Sequence, residues 1–291
     1  SEVVLNEALD TNLTLLIGSH ADDIASKTQI KDALKHYGTE HYVRAKQAGY
    51  VLYVEGSTDL AILRELAKKI DHSVLQVWSD RANVYYVQDN FPEDGDVDEA
   101  LDRVEGGFGI TPRKHFGAAR GLVSDLNGLA VLDSDGSARE DKDDGQLKIM
   151  YWRRYELENY FISPTVLRRS CTNHYAGEFP LFGDFQETIN RILDEVTLQF
   201  IFDSDLDSFE TWHQMSDREK KVLWLAQSRT KKLSSYAEEF FRRLADELSH
   251  AMIYKKNSLY QLIEFVDPKD IDTEVFNKLD ELKCLFAASK I

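Results

Sequence analysis

Residues 50–70 join a short apolar run, Tyr-Val-Leu-Tyr-Val, to a series with helical spacing, Leu60, Leu63, Leu66 and Ile70, through a Glu55-Gly56 turn. Ser57 and Thr58 stand there as candidate helix caps, so the segment reads as strand, tight turn, helix. The pattern returns downstream. Thr111-Pro112 can open a helix that closes at Asn127-Gly128, and residues 129–132 then form a buried strand that carries Asp133 at its C-terminal end. Residues 147–152 read as another strand, with 74–78 and 84–88 as further candidates. Strands alternating with helices imply an α/β fold on a parallel sheet.

The flanks are helical. Residues 23–37 carry helical spacing through Ile24, Ile30 and Leu34 and stop at Gly38, a left-handed C-cap candidate. The acidic stretch 89–105 reads as a loop or short helix, and 137–146 as a polar loop. Ser163-Pro164 starts a helix, and beyond about residue 165 the periodicity is helical, as in Ile189, Leu193, Val196 and Phe200. Three regions follow: a helical lead-in over 1–47, a sheet domain over 48–165, and a helical annex over 166–291.

At 291 residues and 43% hydrophobic content, the chain can bury a full core. No stretch approaches the roughly 20 apolar residues of a membrane span, and the start lacks a secretory pattern, which points to the cytoplasm. Cys171 and Cys284 lie far apart and outside any CxxC, so buried thiols are expected rather than a disulfide or a zinc site. Against 35 basic residues stand 51 acidic ones, a net charge of −16 that excludes broad, passive adhesion to nucleic acid. Any contact with DNA has to be local.

Three short acidic clusters carry the chemistry: Glu55 with Asp59, Asp133 with Asp135, and Glu156 with Glu158. Carboxylates gathered together repel one another, and hard oxygen ligands select magnesium, manganese or calcium. In parallel sheets, ligands collect beyond the carboxyl ends of the strands, so Glu55 and the Asp133/Asp135 pair are expected to converge. Each cluster alone has an ordinary explanation, as a helix cap, a turn or exposed surface; their joint occurrence in order outweighs it.

Other features carry less. Asp203, Asp205 and Asp207 follow a helical pattern and fit a capping loop. Gly106, Gly107 and Gly109 lack the strand-to-helix setting of a dinucleotide loop, and no GxxxxGK[ST] is present, so no ATP or NAD site is expected in this chain. Arg113, Lys114, His115 and Arg120 form the best basic cluster, with Arg113, Lys114 and Arg120 as candidate contacts to DNA phosphate. Trp152, Tyr155, Tyr160 and Phe161 fit core packing before base stacking.

VLYVEGSTD followed by GLAVLDSDG resembles a Toprim domain, the metal-binding fold shared by topoisomerases, bacterial primases and several nucleases. The YELENYF and YKKNSLYQL segments are similar to the Toprim half of the OLD (overcoming lysogenization defect) family, whose members join an ABC-type ATPase to this domain. SEVVLNEALD resembles the text that follows the ATPase switch histidine, and the YVEGSTD spelling is closest to class 2. The resemblance is weakest over 166–250.

It implies a DNA endonuclease in phage defence that uses two divalent cations, magnesium or manganese, with calcium binding without turnover. The partners implied are DNA and the ATPase domain of the same protein, through which oligomers can form. Glu55 would ligate metal and help deprotonate water, Asp133 would anchor the ions, and Asp59 and Asp135 would complete their shells, with Ser134 assisting. Glu158 is favoured over Glu156, because residues two apart on a helix cannot face one ion; an extended segment would admit both. Lys256 matches the family's late lysine, placed to neutralise charge on phosphorus, with Lys255 as its substitute.

Two rival functions remain. DSDGS also resembles the loop of haloacid dehalogenase-like phosphatases, in which Asp133 would be the nucleophile and Asp135 the acid/base. A non-catalytic metal-binding regulatory module is the other. Topoisomerase and primase activities share the fold but lack support, since no primase zinc module is present.

Overall fold

The computed structural model describes residues 43–79, 82–87, 111–175, 184–201, 212, 214–248 and 254–288. The expected helix over 23–37, the 89–105 stretch, Gly106, Gly107 and Gly109, and Asp203, Asp205 and Asp207 lie outside these residues.

Strand β1 (Tyr50–Val54) leads into helix α1 (Ser57–Lys69), and β2 (Val84–Tyr86) pairs with β1 in parallel, Val54 opposite Tyr86. Helix α2 (Pro112–Leu122) precedes β3 (Asn127–Leu132), which lies parallel on the other side of β1. The short β4 (Lys142–Asp143) and β5 (Leu147–Tyr151) follow, β5 parallel to β3 and β4 antiparallel at the edge. The strand order β2-β1-β3-β5-β4 makes this an α/β fold with a mostly parallel five-stranded sheet, the architecture that the Toprim resemblance implies. From β1 the chain runs outward to β2 and then returns to β3 on the opposite side. The ends of β1 and β3 therefore flank a topological switch point, where ligands bind in such sheets.

Both faces of the sheet are covered, as expected for β1, which is buried along its whole length. Alternate residues serve different layers. Tyr50, Leu52 and Val54 join Leu63 and Leu66 of α1, whereas Val51 and Tyr53 join Phe116 and Ala119 of α2. On the α1 side the sheet is also covered by α3 (Pro164–Tyr175), α4 (Asp184–Ile201), α6 (Leu233–Glu247), the 3-10 segment Lys256–Phe265 and α7 (Thr273–Ala287). Helix α5 (Asp217–Gln227) adds Trp224 to the same core. The helical character expected after residue 165 is present among the described residues. Those helices share one hydrophobic core with α1 rather than building a second one.

Several local expectations change. Residues 74–78 do not form a strand: Ser73–Gln76 is a 3-10 turn capped by His72 Nδ1, which accepts the Val74 amide at 3.1 Å, and β2 occupies the edge of β1 instead. Helix α2 opens as expected, with Thr111 as N-cap and Pro112 in the first turn, but it ends at Leu122 because Val123 is extended. Asn127 and Gly128 already belong to β3. Gly128 is required there by a close approach: a Cβ would lie 2.7 Å from Phe116 Cε2 and 2.8 Å from Leu147 Cδ1. Of the two cysteines, Cys171 is buried and its thiol is pushed up to about 12 by burial, whereas Cys284 is exposed on α7. Among the described residues, no helix is long and apolar enough to cross a membrane.

Candidate metal centre

At the C-terminal ends of the parallel strands, Asp133 meets the Glu156/Glu158 cluster, with Glu55 beside them. Oxygens of Asp133, Glu156 and Glu158 all lie within 4.8 Å of one another. Asp133 follows β3 directly, and its Oδ1 accepts the Leu157 amide at 3.0 Å. Glu55 follows β1, and its Oε1 accepts the Asp133 amide at 3.0 Å. The two strand ends are thus joined through the carboxylates they deliver.

Glu156 and Glu158 both reach the centre because the segment is only partly helical. Glu156 is extended, with φ −143° and ψ 170°, and the 3-10 turn Leu157–Tyr160 begins after it. The extended alternative holds at Glu156, so both glutamates stand with Asp133. Behind them, Ser234 on the first turn of α6 donates its amide to Glu156 Oε1 at 2.6 Å and its hydroxyl to Oε2 at 3.0 Å. Anions are favoured at that end of a helix. Asn159 Nδ2 donates to the carbonyls of Ser228, at 2.7 Å, and Lys231, at 3.0 Å, which pins the turn. Ser234 stands in no motif of the sequence and Asn159 only inside YELENYF; a serine just before the spaced Tyr236, Phe240 and Leu244 is the available signal for the first.

The remaining candidates take varied places. Asp59 is a capping carboxylate, its Oδ2 accepting the amides of Glu55 at 2.9 Å and Gly56 at 3.2 Å; Gly56, not Ser57 or Thr58, is the N-cap of α1. Its charge still reaches Glu55, Asp133 and Glu158. Asp135 has φ +51°, a left-handed conformation that aspartate tolerates, and its carboxylate faces Arg139 at 3.7 Å. Ser134 turns its hydroxyl to the Arg154 carbonyl at 2.7 Å. Glu55, Asp59 and Asp135 thus stand beside the three-oxygen group without joining it.

Lys256 is exposed, with its amide on Glu238 Oε1 at 3.0 Å, and its positive charge reaches Glu55, Glu156 and Glu158. Lys255, also exposed, caps the same segment. The basic cluster on α2 sits elsewhere. Arg113 pairs with Asp144 at 2.8 Å, and the Asp144 amide donates to the Leu147 carbonyl at the start of β5, the opposite end of the strands from the carboxylates. Lys114 and Arg120 are exposed on the same helix. His115 is no surface cation at all: it is buried, with Nδ1 2.9 Å from the Tyr53 hydroxyl.

Burial and mutual repulsion raise the proton affinity of Glu55, Asp133, Glu156 and Glu158. Glu55 is pushed up to about 7, chiefly by burial and then by Asp59 and Asp135, against the Asp133 amide and Lys256. Glu158 reaches about 8 through burial and the charges of Glu156 and Asp59. Asp133 is raised by burial, then by Glu55, Asp59 and Glu158, and Glu156 is raised because burial outweighs its two bonds from Ser234. Acidic oxygens crowded out of water in this way suit a hard divalent cation, so Asp133, Glu156 and Glu158 fit magnesium, manganese or calcium. A second ion has no comparable three-oxygen group among the described residues.

Comparison of the chain with family models, curated proteins and solved structures finds no match.

Proposed function

We propose that this chain is a divalent-metal-dependent endodeoxyribonuclease, the Toprim half of an OLD-type nuclease whose ATPase lies on the same full-length protein. The observation that carries this reading is the meeting of Asp133, Glu156 and Glu158 within 4.8 Å, beside Glu55, at the switch point of a parallel sheet. Asp133, Glu156 and Glu158 would hold the cation. A bound divalent ion supplies Lewis acidity and charge neutralisation for displacement at phosphorus.

The chain's own groups have complementary tasks. Glu55, with its carboxyl near 7, is poised to accept a proton from an attacking water at neutral pH. Lys256 places positive charge where the phosphate becomes more negative. Ser234 and Asn159 fix the glutamate-bearing turn, so its ligands need little rearrangement.

A plasmid-cleavage assay tests the proposal, comparing the parent with Glu55→Ala and Asp133→Ala, each with and without magnesium or manganese. Metal-dependent nicking by the parent, lost in both variants, is expected. Metal binding with uncut plasmid would leave a regulatory metal-binding module; equal cleavage by all three would remove the site.

A further inference from the structure

We propose that the turn over residues 228–232, through Arg229 and Lys232, acts with Lys256 as the surface that grips the phosphate backbone of duplex DNA beside the carboxylate site. This rests on the nuclease reading, since it gives the proposed centre its hold on a polyanion.

In a chain of net charge −16, buried carboxylates would repel DNA unless cations stood at their rim. Residues 228–232 read Ser-Arg-Thr-Lys-Lys, three cations in five positions. Their backbone is knitted to the acidic segment. The Ser228 and Lys231 carbonyls accept Asn159 Nδ2, the Arg229 carbonyl accepts the Tyr155 amide at 2.8 Å, and Ser234, two residues on, holds Glu156. The carbonyls thus hold the glutamate-bearing segment while the Arg229 and Lys232 side chains are exposed.

Helix α6 brings Lys256 to the same rim. Glu238, which accepts the Lys256 amide, lies one turn after Ser234 and so on the same helix face. Lys232 and Lys256 both act on Glu156 from opposite parts of the chain. Neither side chain enters an ion pair among the described residues, whereas Arg113 on α2 is already held by Asp144 at the opposite end of the strands. Arginine and lysine on a positioned turn suit phosphate contacts, which fix orientation without reading sequence.

The test is fluorescence anisotropy of a labelled DNA duplex with calcium in place of magnesium, over a series of salt concentrations. It compares the whole chain, Arg229→Gln/Lys232→Gln, and Arg113→Gln/Lys114→Gln/Arg120→Gln. The rim variant is expected to bind about tenfold or more weakly, with a salt slope smaller by about 2, while the α2 variant binds like the parent. Because the holding bonds come from backbone carbonyls, manganese should still raise the melting temperature of the rim variant. Equal affinity of parent and rim variant would overturn the inference, as would a parent that binds no duplex. Rim-dependent binding with an uncut plasmid would remove the nuclease reading alone; cleavage that ignores the rim would remove the grip alone.

Discussion

The main-chain amide of Asp133 donates to Glu55 Oε1 at 3.0 Å, across 78 positions of sequence, and so locks the end of β3 to the end of β1. The bond favours the ionised carboxylate, yet burial prevails and leaves Glu55 at about 7. Near neutrality the side chain divides between its two protonation states, a condition suited to proton transfer.

Stability without metal should fall as pH rises from about 4.5 to 8. In an unfolded chain these glutamates titrate near the ordinary carboxyl value of 4.5, whereas in the fold Glu55 holds its proton to about 7 and Glu158 to about 8. Across that window the native state binds more protons, so the free energy of unfolding decreases with pH. Carboxylates shifted the other way act only in stronger acid, as Glu239 does at about 2. Urea melts in EDTA would check this, and a rise in stability over the window would contradict it.

Glu158→Gln should stabilise the metal-free protein at pH 8. The change removes a buried charge facing Glu156 and Asp59 and keeps its shape, and each tenfold change in proton affinity is worth about 1.4 kcal/mol. With manganese added, the order should reverse, the parent gaining more than the variant in thermal melts. A variant that gains as much from the ion as the parent would free Glu158 of any ligand role.

Lys256→Ala should lower the rate of metal-dependent cleavage by about 100-fold or more, the loss typical of a group that neutralises transition-state charge. Lys256 rather than Lys255 is the better choice, because its charge reaches Glu55, Glu156 and Glu158. Single-turnover rates at saturating DNA would separate this effect from weaker binding. Wild-type rates would dismiss the lysine.

Gly128→Ala should destabilise the fold by about 1–3 kcal/mol, as overpacking does in a filled core. The added methyl would press on the Phe116 ring and on Leu147, which together seat α2 against β3 and β5. Denaturant melts measure it. A neutral result would mean that α2 can shift without loss.

The strands and the order of acidic residues were legible because local patterns encode them. An apolar run ending in an acidic residue places that residue at a strand end, whichever partner it later meets, and Glu55 and Asp133 were found so. What remained hidden depends on distant chain. The joint approach of Glu156 and Glu158 follows from an extended residue held by Ser234, 78 positions away, which no spacing rule contains. His115 looked like one of four surface cations, yet its position on α2 turns it inward to Tyr53. The 74–78 run was apolar enough for a strand, but β2 claims the edge of β1.

The common interior of α1 and the C-terminal helices means that no minimal fragment holding the carboxylate site can be excised by cutting near residue 165. Such a truncation would strip Tyr50, Leu52, Val54, Leu129 and Val131 of much of their cover and take away Ser234, the donor to Glu156. Engineered transplants of the carboxylate site into another protein would therefore have to carry the chain through α7.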